Sequence, residues 1–173
     1  MNSAAELAHE FSKLEDDPFR YNETATVSLL IAAAARVELL ALAEFVSTKR
    51  VQKLPSNGRC DLWICGRQLS WAFEVKQIKY RGGVHRPATI LKWVEKACQA
   101  ARELTHHEAD KRFGLLVISL HDAEQIEAAF IKNLESIVSK VDYAWQIASG
   151  SDFTGDTFLL FKEVHKKRVA ART

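Results

Sequence analysis

Asp61, Glu74 and Lys76 are the residues of this chain whose types and spacing most directly suggest chemistry. They fall within residues 59–77, RCDLWICGRQLSWAFEVKQ. The segment reads as two short strands, Cys60–Cys65 and Leu69–Gln77, joined by a turn at Gly66-Arg67-Gln68. The second is rich in the aromatic and β-branched residues that strands favour. Residues two apart on a strand share a face, so Glu74 and Lys76 point the same way. In an antiparallel hairpin the start of one strand lies beside the end of the other, which brings Asp61 to the pair. Two carboxylates and an ammonium at one spot are costly to bury unless they bind something. Their oxygens suit a hard divalent cation. The competing reading is a surface salt bridge to Lys76.

Other elements must hold this hairpin. Residues 1–20 read as a helical lead-in with Leu7, Phe11 and Leu14 at helical spacing, stopped by Asp16-Asp17-Pro18. Asn22 is an N-cap for the next helix, with Glu23 in its first turn. Val27, Leu30, Ile31, Ala34 and Ala35 give that helix an apolar face. Residues 37–49 fit either a continued helix or a strand. Pro55 and Asn57-Gly58 mark a turn within residues 52–58. Pro87 opens a helix in which Ile90, Leu91, Val94, Ala97, Cys98, Ala101 and Leu104 recur. Phe113–Leu120 is an apolar run expected as a strand buried on both faces. Residues 123–138 form an amphipathic helix, and residues 141–148 and 157–163 two closing strands.

The pattern of Asp61, twelve intervening residues and Glu74-Val75-Lys76 resembles the PD-(D/E)XK nuclease superfamily, although Cys60 stands where that pattern places a proline. The resemblance implies an α/β fold with a restriction-endonuclease-like core, αβββαβ, whose mixed central sheet is flanked by helices. It therefore makes residues 40–48 the first strand. The core would cover about residues 20–120 and an αββ extension residues 121–165, within one domain spanning 1–173. It also implies a metal-dependent endo- or exonuclease, acting on DNA in preference to RNA and leaving 5′-phosphate and 3′-hydroxyl ends. Asp61, Glu74 and the Val75 carbonyl would hold Mg²⁺ or Mn²⁺, with Lys76 beside the attacking water. Many members add a helix glutamate. Glu23 is the first choice here, Glu38 the second and Glu44 the third.

Gln99 is a candidate for an accessory polar role, while Gln77 points away from Lys76. Lys79, Arg81, His85, Arg86, Lys92 and Lys96 follow the catalytic strand and could grip phosphates without reading bases. A homodimer is compatible with the resemblance. The alternative function is a catalytically silent nuclease-like domain that binds nucleic acid or protein in a regulatory role.

The rest of the composition excludes more than it proposes. The 173 residues are 47% hydrophobic and 27% charged, with a net charge of +2. That describes an ordinary globular chain in which any basic footprint is local. Cys60, Cys65 and Cys98 are too few and too scattered for a disulfide framework and read as core residues in a reducing compartment. His106, His107, His121 and Asp110 do not have zinc-ligand spacing. No Gly-rich phosphate loop or nucleophile motif is present. The first fourteen residues do not read as a signal peptide, and the apolar run at residues 29–35 is too short to span a bilayer. A soluble, cytoplasmic protein is expected.

Overall fold

The apolar run at Phe113–Leu120 sets the middle of the sheet. In the computed structural model, which describes residues 2–14, 16–51, 54–80, 86–105, 107–120, 128–148 and 156–165, it lies in strand β4 (Lys111–Leu120). Every residue from Phe113 onward is buried. Five other strands share its sheet: β1 (Leu40–Val51), β2 (Leu54–Cys65), β3 (Ser70–Tyr80), β5 (Tyr143–Ile147) and β6 (Thr157–Glu163). The spatial order is β1-β2-β3-β4-β6-β5. Only β3 and β4 run parallel, from Trp71↔Lys111 to Tyr80↔Leu120. They are connected through helix α4 (Pro87–Glu103), as a parallel pair requires a crossover. The chain is thus α/β, with a six-stranded mixed sheet flanked by helices.

Alternation along the strands gives each face its own core. On one side Ile78, Leu116, Ile118 and Leu160 pack with Ile90 and Val94 of α4 and with Phe130 and Leu134 of α5 (Ala128–Val138). On the other, Val75, Leu115, Val117 and Leu159 meet α1 (Asn2–Ser12) through Ala4 and Leu7. Val27 and Leu30 cover the same face from α3 (Glu23–Arg36). The αββ segment that was expected as an extension joins the same sheet, because β6 pairs with β4 from Phe113↔Glu163 to Ser119↔Thr157.

Three expectations need correction. Asp17-Pro18 ends nothing by itself: α1 has already stopped at Ser12, and the pair opens a short helix, α2 (Pro18–Tyr21). Asp17 Oδ1 accepts from Phe19 N at 2.9 Å and Pro18 takes the first helical position, where its missing N–H costs nothing. Pro55 and Asn57-Gly58 do not form the turn. They belong to β2, whose ladder with β1 continues through Thr48↔Asn57 and Val51↔Leu54. The glycine serves a close approach instead of a bend, as shown below. Strand β3 continues past Gln77 to Tyr80, because its parallel ladder with β4 does not stop there. Asn22 caps α3 as expected, its Oδ1 accepting from Ala25 N at 2.9 Å.

Helix α4 lies almost on the backbone of β4. A Cβ at Gly114 would stand 2.5 Å from Cys98 N and 2.7 Å from the Ala97 carbonyl carbon. Main-chain atoms at that distance cannot rotate away, so α4 would have to lift. Gly114→Ala should therefore lower stability by about 1–3 kcal/mol, the usual range for overpacking, read as a reduced denaturation midpoint. An unchanged midpoint would mean that the helix is not seated on the strand in this way.

Candidate active site

The candidate site lies where one strand leaves another. Strands β2 and β3 pair only from Cys65↔Ser70 to Leu62↔Phe73. Beyond that point β2 stays with β1 and departs from β3, although β3 continues beside β4. The departure coincides with a distortion at Glu44 of β1, whose φ of 45° is unusual for a non-glycine residue in a strand. Asp61 is the residue left between these registers. Its neighbours Cys60 and Leu62 pack into different clusters, Cys60 with Ala72 and Leu104, Leu62 with Val75 and Val27.

The departing strand exposes backbone groups on β3, and side chains take them up. Asp61 Oδ2 accepts from Val75 N at 2.7 Å, doing the work of a ladder carbonyl. Lys76 Nζ donates to the Val75 carbonyl at 2.5 Å. The same ammonium lies 3.6 Å from Glu23 Oε1 and 3.9 Å from Asp61 Oδ2. Three of the predicted residues are thus gathered around one lysine. Glu23 is delivered by the start of α3, which is tied down through Gln77: Thr26 Oγ1 donates to Gln77 Oε1 at 3.0 Å, and Gln77 Nε2 donates to the Phe19 carbonyl at 2.6 Å. Gln77 therefore positions the helix.

Glu74 is the deepest member, only 3% exposed. Its Oε1 lies 2.8 Å from Nζ of Lys49, a β1 residue whose side chain is itself largely buried. This ion pair is the main charge partner the fold supplies to that carboxylate. Sequence reasoning missed Lys49, because its ammonium crosses an entire strand to reach β3. The one available sign was Gly58, a glycine inside a strand.

Burial governs the charge states. Desolvation, reinforced by the Asp61 charge, pushes Glu74 up to about 7, with Lys49 and Lys76 opposing. Glu23 is raised for the same first reason, while Lys76 draws it down. Burial, followed by the Glu74 charge, pushes the Cys60 thiol up to about 12. Cys60 thus stays protonated, donating to the Leu62 carbonyl at 3.3 Å, and is no nucleophile.

The remaining candidates scatter. Glu38 is exposed at the end of α3, and Glu44 pairs with Arg59 at 3.0 Å on the surface. Gln99 is exposed on α4. Asp110 accepts from Ser70 N and Oγ, both at 2.8 Å, and so supports the start of β3. Lys79 alternates to the α3 side of β3, whereas Arg86 stands at the N-cap position of α4 without a side-chain capping bond, and Lys92 and Lys96 lie exposed along that helix on the opposite layer. Lys96 Nζ rests 3.9 Å from the Trp93 ring. Arg81, His85, His106 and His121 lie outside the described residues.

A divalent ion would find hard oxygen donors here: the Asp61 and Glu74 carboxylates and the Val75 carbonyl, with Glu23 nearby. Buried Glu74 Oε1 is already faced by the Lys49 ammonium at 2.8 Å, so an ion would share it with that lysine. Among the described residues, however, no three His, Cys, Asp or Glu side chains stand grouped to hold an ion as they are placed. Lys76 and Lys49 occupy the space between the acids. No described helix is long and apolar enough to cross a membrane. Comparison with protein-family models, curated proteins and solved structures finds no match.

The Glu74 environment sets a pH dependence. Its folded pKa lies above the unfolded carboxyl value, so between about pH 4.5 and 7 the native state binds more protons than the unfolded chain. Stability should accordingly fall as pH rises through that window, by up to roughly 3 kcal/mol from this residue. Denaturant melts of the metal-free protein and Glu74→Gln would check it. The decline should flatten in the variant, and equal slopes would remove Glu74 as its source.

Proposed function

We propose that the chain is a metal-dependent nuclease of the PD-(D/E)XK type, hydrolysing phosphodiester bonds in nucleic acid, DNA ahead of RNA. The observation that carries this reading is the convergence of Glu23, Asp61 and the Val75 carbonyl on the Lys76 ammonium, in the gap opened between β2 and β3, with buried Glu74 next to Val75. The order α3, β1, β2, β3, α4, β4 agrees with the restriction-endonuclease-like arrangement.

Asp61, Glu74 and the Val75 carbonyl are the groups that would hold Mg²⁺ or Mn²⁺, with Glu23 assisting directly or through water. The ion, when bound, supplies charge neutralisation at the phosphate. Everything else falls to the chain. Asp61, anchored on Val75 N, keeps one oxygen pinned and the other free to bind. Lys76 is about a third exposed, held from three sides and able to turn outward. Its three N–H donors can orient an attacking water and offset charge developing on the phosphate. Glu23 keeps that ammonium aimed across the gap. Arg86, Lys92 and Lys96 are exposed and would contact phosphates without reading bases; two subunits could serve two strands.

A second reading has its own support. Lys49 and Lys76 already offset much of the acidic charge, so the fold has no need of an ion. That arrangement also suits a nuclease-like domain that binds nucleic acid or protein without cutting.

Lys76→Ala separates the two. Purified protein and variant would be incubated with supercoiled plasmid, linear duplex, single-stranded DNA and RNA, each with Mg²⁺, Mn²⁺ or EDTA. Cutting should require the metal and fall by roughly 100-fold or more in the variant, the loss seen on removing one preorganised donor, with the variant still folded by circular dichroism. Cleavage that survives EDTA or the substitution would reject the metal-dependent PD-(D/E)XK assignment. Absence of cutting with retained binding would favour the silent module.

A further inference from the structure

We infer that Lys49 is a positioning residue of the candidate site: threaded from β1 across Gly58, it is the internal counter-cation of Glu74 and governs how far that carboxylate is available to a divalent ion. The inference rests on the metal-site reading above and adds a residue that the sequence pattern does not contain.

The path of the side chain is the first observation. Lys49 pairs with Ser56 on β2, two strands removed from Glu74 on β3. Its stem reaches the acid by lying directly over Gly58. A Cβ there would stand 2.6 Å from Lys49 Cδ and 2.7 Å from Cγ. A side chain at that position would force the lysine stem off this path. The root of the side chain is equally fixed. Thr48 N donates to Glu108 Oε1 at 2.7 Å, Thr105 N donates to the Thr48 carbonyl at 3.1 Å, and Lys49 itself bridges to Leu104 beyond the end of α4. The far half of the β1–β2 hairpin is thereby clamped to the helix layer. A flexible lysine becomes a placed one.

The charges then divide. Lys76 serves Asp61 and Glu23, and Lys49 serves Glu74. Three carboxylates against two ammonium groups leave one negative charge when all are ionised. Removing Lys49 would leave Glu74 buried beside Asp61 with Lys76 as the remaining nearby cation, and a divalent ion would have more to offset. Lys49 thus competes with the ion for Glu74 and keeps the site folded without it.

The experiment is a set of thermal melts at pH 8 on wild type, Lys49→Met, Lys49→Arg and Gly58→Ala, in EDTA and through a Mn²⁺ titration. Met keeps the stem over Gly58 without the charge, Arg keeps the charge, and Ala pushes the stem aside. In EDTA, Lys49→Met and Gly58→Ala should melt below wild type. Their gain on saturating Mn²⁺ should exceed the wild-type gain by several degrees, while Lys49→Arg follows wild type. If Lys49→Met does not fold, Gly58→Ala carries the comparison. A lysine that merely packs would lower the melt without changing the Mn²⁺ gain. Equal gains in variant and wild type, including none in either, therefore overturn the inference. A wild type blind to Mn²⁺ counts against the metal-site reading alone if the variants respond, since Lys49 is then the cation that holds the place.

Discussion

The separation of β2 from β3 after Leu62↔Phe73 is the constraint on which the rest of the site depends. A buried strand cannot leave its edge amides unpaired, because each orphaned group costs about as much as a lost hydrogen bond. On the β4 side the ladder of β3 is complete. On the other side the chain must supply substitutes, and at Val75 the substitute is the Asp61 carboxylate. An acidic side chain is thus drawn to the strand edge by backbone satisfaction alone. The Val75 carbonyl likewise draws in Lys76. The backbone chemistry that repairs an interrupted sheet also assembles a cluster of charges.

Two rigid layers keep that gap open. Strand β4 is buried on both faces and carries α4 on its main chain at Gly114, so β3 cannot shift toward it. The β1–β2 ribbon is distorted at Glu44 and clamped near Thr48, so it cannot fall back onto β3. A positive φ at a bulky residue costs of order 1–3 kcal/mol and persists only where its surroundings overdetermine it. Here the surroundings are the Phe45–Trp63 contact and the Cys60, Ala72 and Leu104 cluster. The strain is therefore held by packing, and packing fixes the distance between the acids.

Much of this was legible because it is local. Alternation and turn chemistry placed Cys60–Cys65 against Leu69–Gln77, and with them Asp61 near Glu74 and Lys76; that its carboxylate would bond the Val75 amide was not legible. The N-cap at Asn22 placed Glu23, since a cap fixes where a helix starts and which side chains lead it. The errors came from long-range packing overriding local signals. Asn57-Gly58 has turn chemistry, but its glycine is needed to let Lys49 cross, and the strand passes straight through. Lys49 was invisible for the same reason: no period along one strand reports a side chain that reaches over the next. The basic residues after β3 read as one cluster in sequence. In space Lys79 and the α4 cations face opposite layers.

The electrostatics argue that the cluster has a purpose beyond holding the fold together. A buried ion pair such as Lys49–Glu74 is weak evidence for stability. Desolvating both charges costs several kcal/mol per ion, and well-packed apolar residues of similar volume are often as stabilising or more so. Glu74 lies in that costly position, 3% exposed and beside the charge of a second carboxylate. Its ordinary carboxyl range is displaced to about 7 as a result. The apolar cores on either side of the sheet were available to take an apolar residue at this position. A site arranged this way spends folding energy to keep acids and lysines close together. Such placement is characteristic of groups that must meet a ligand whose charge completes the set. The lysines make the arrangement tolerable, and one negative charge is left over when all five groups are ionised.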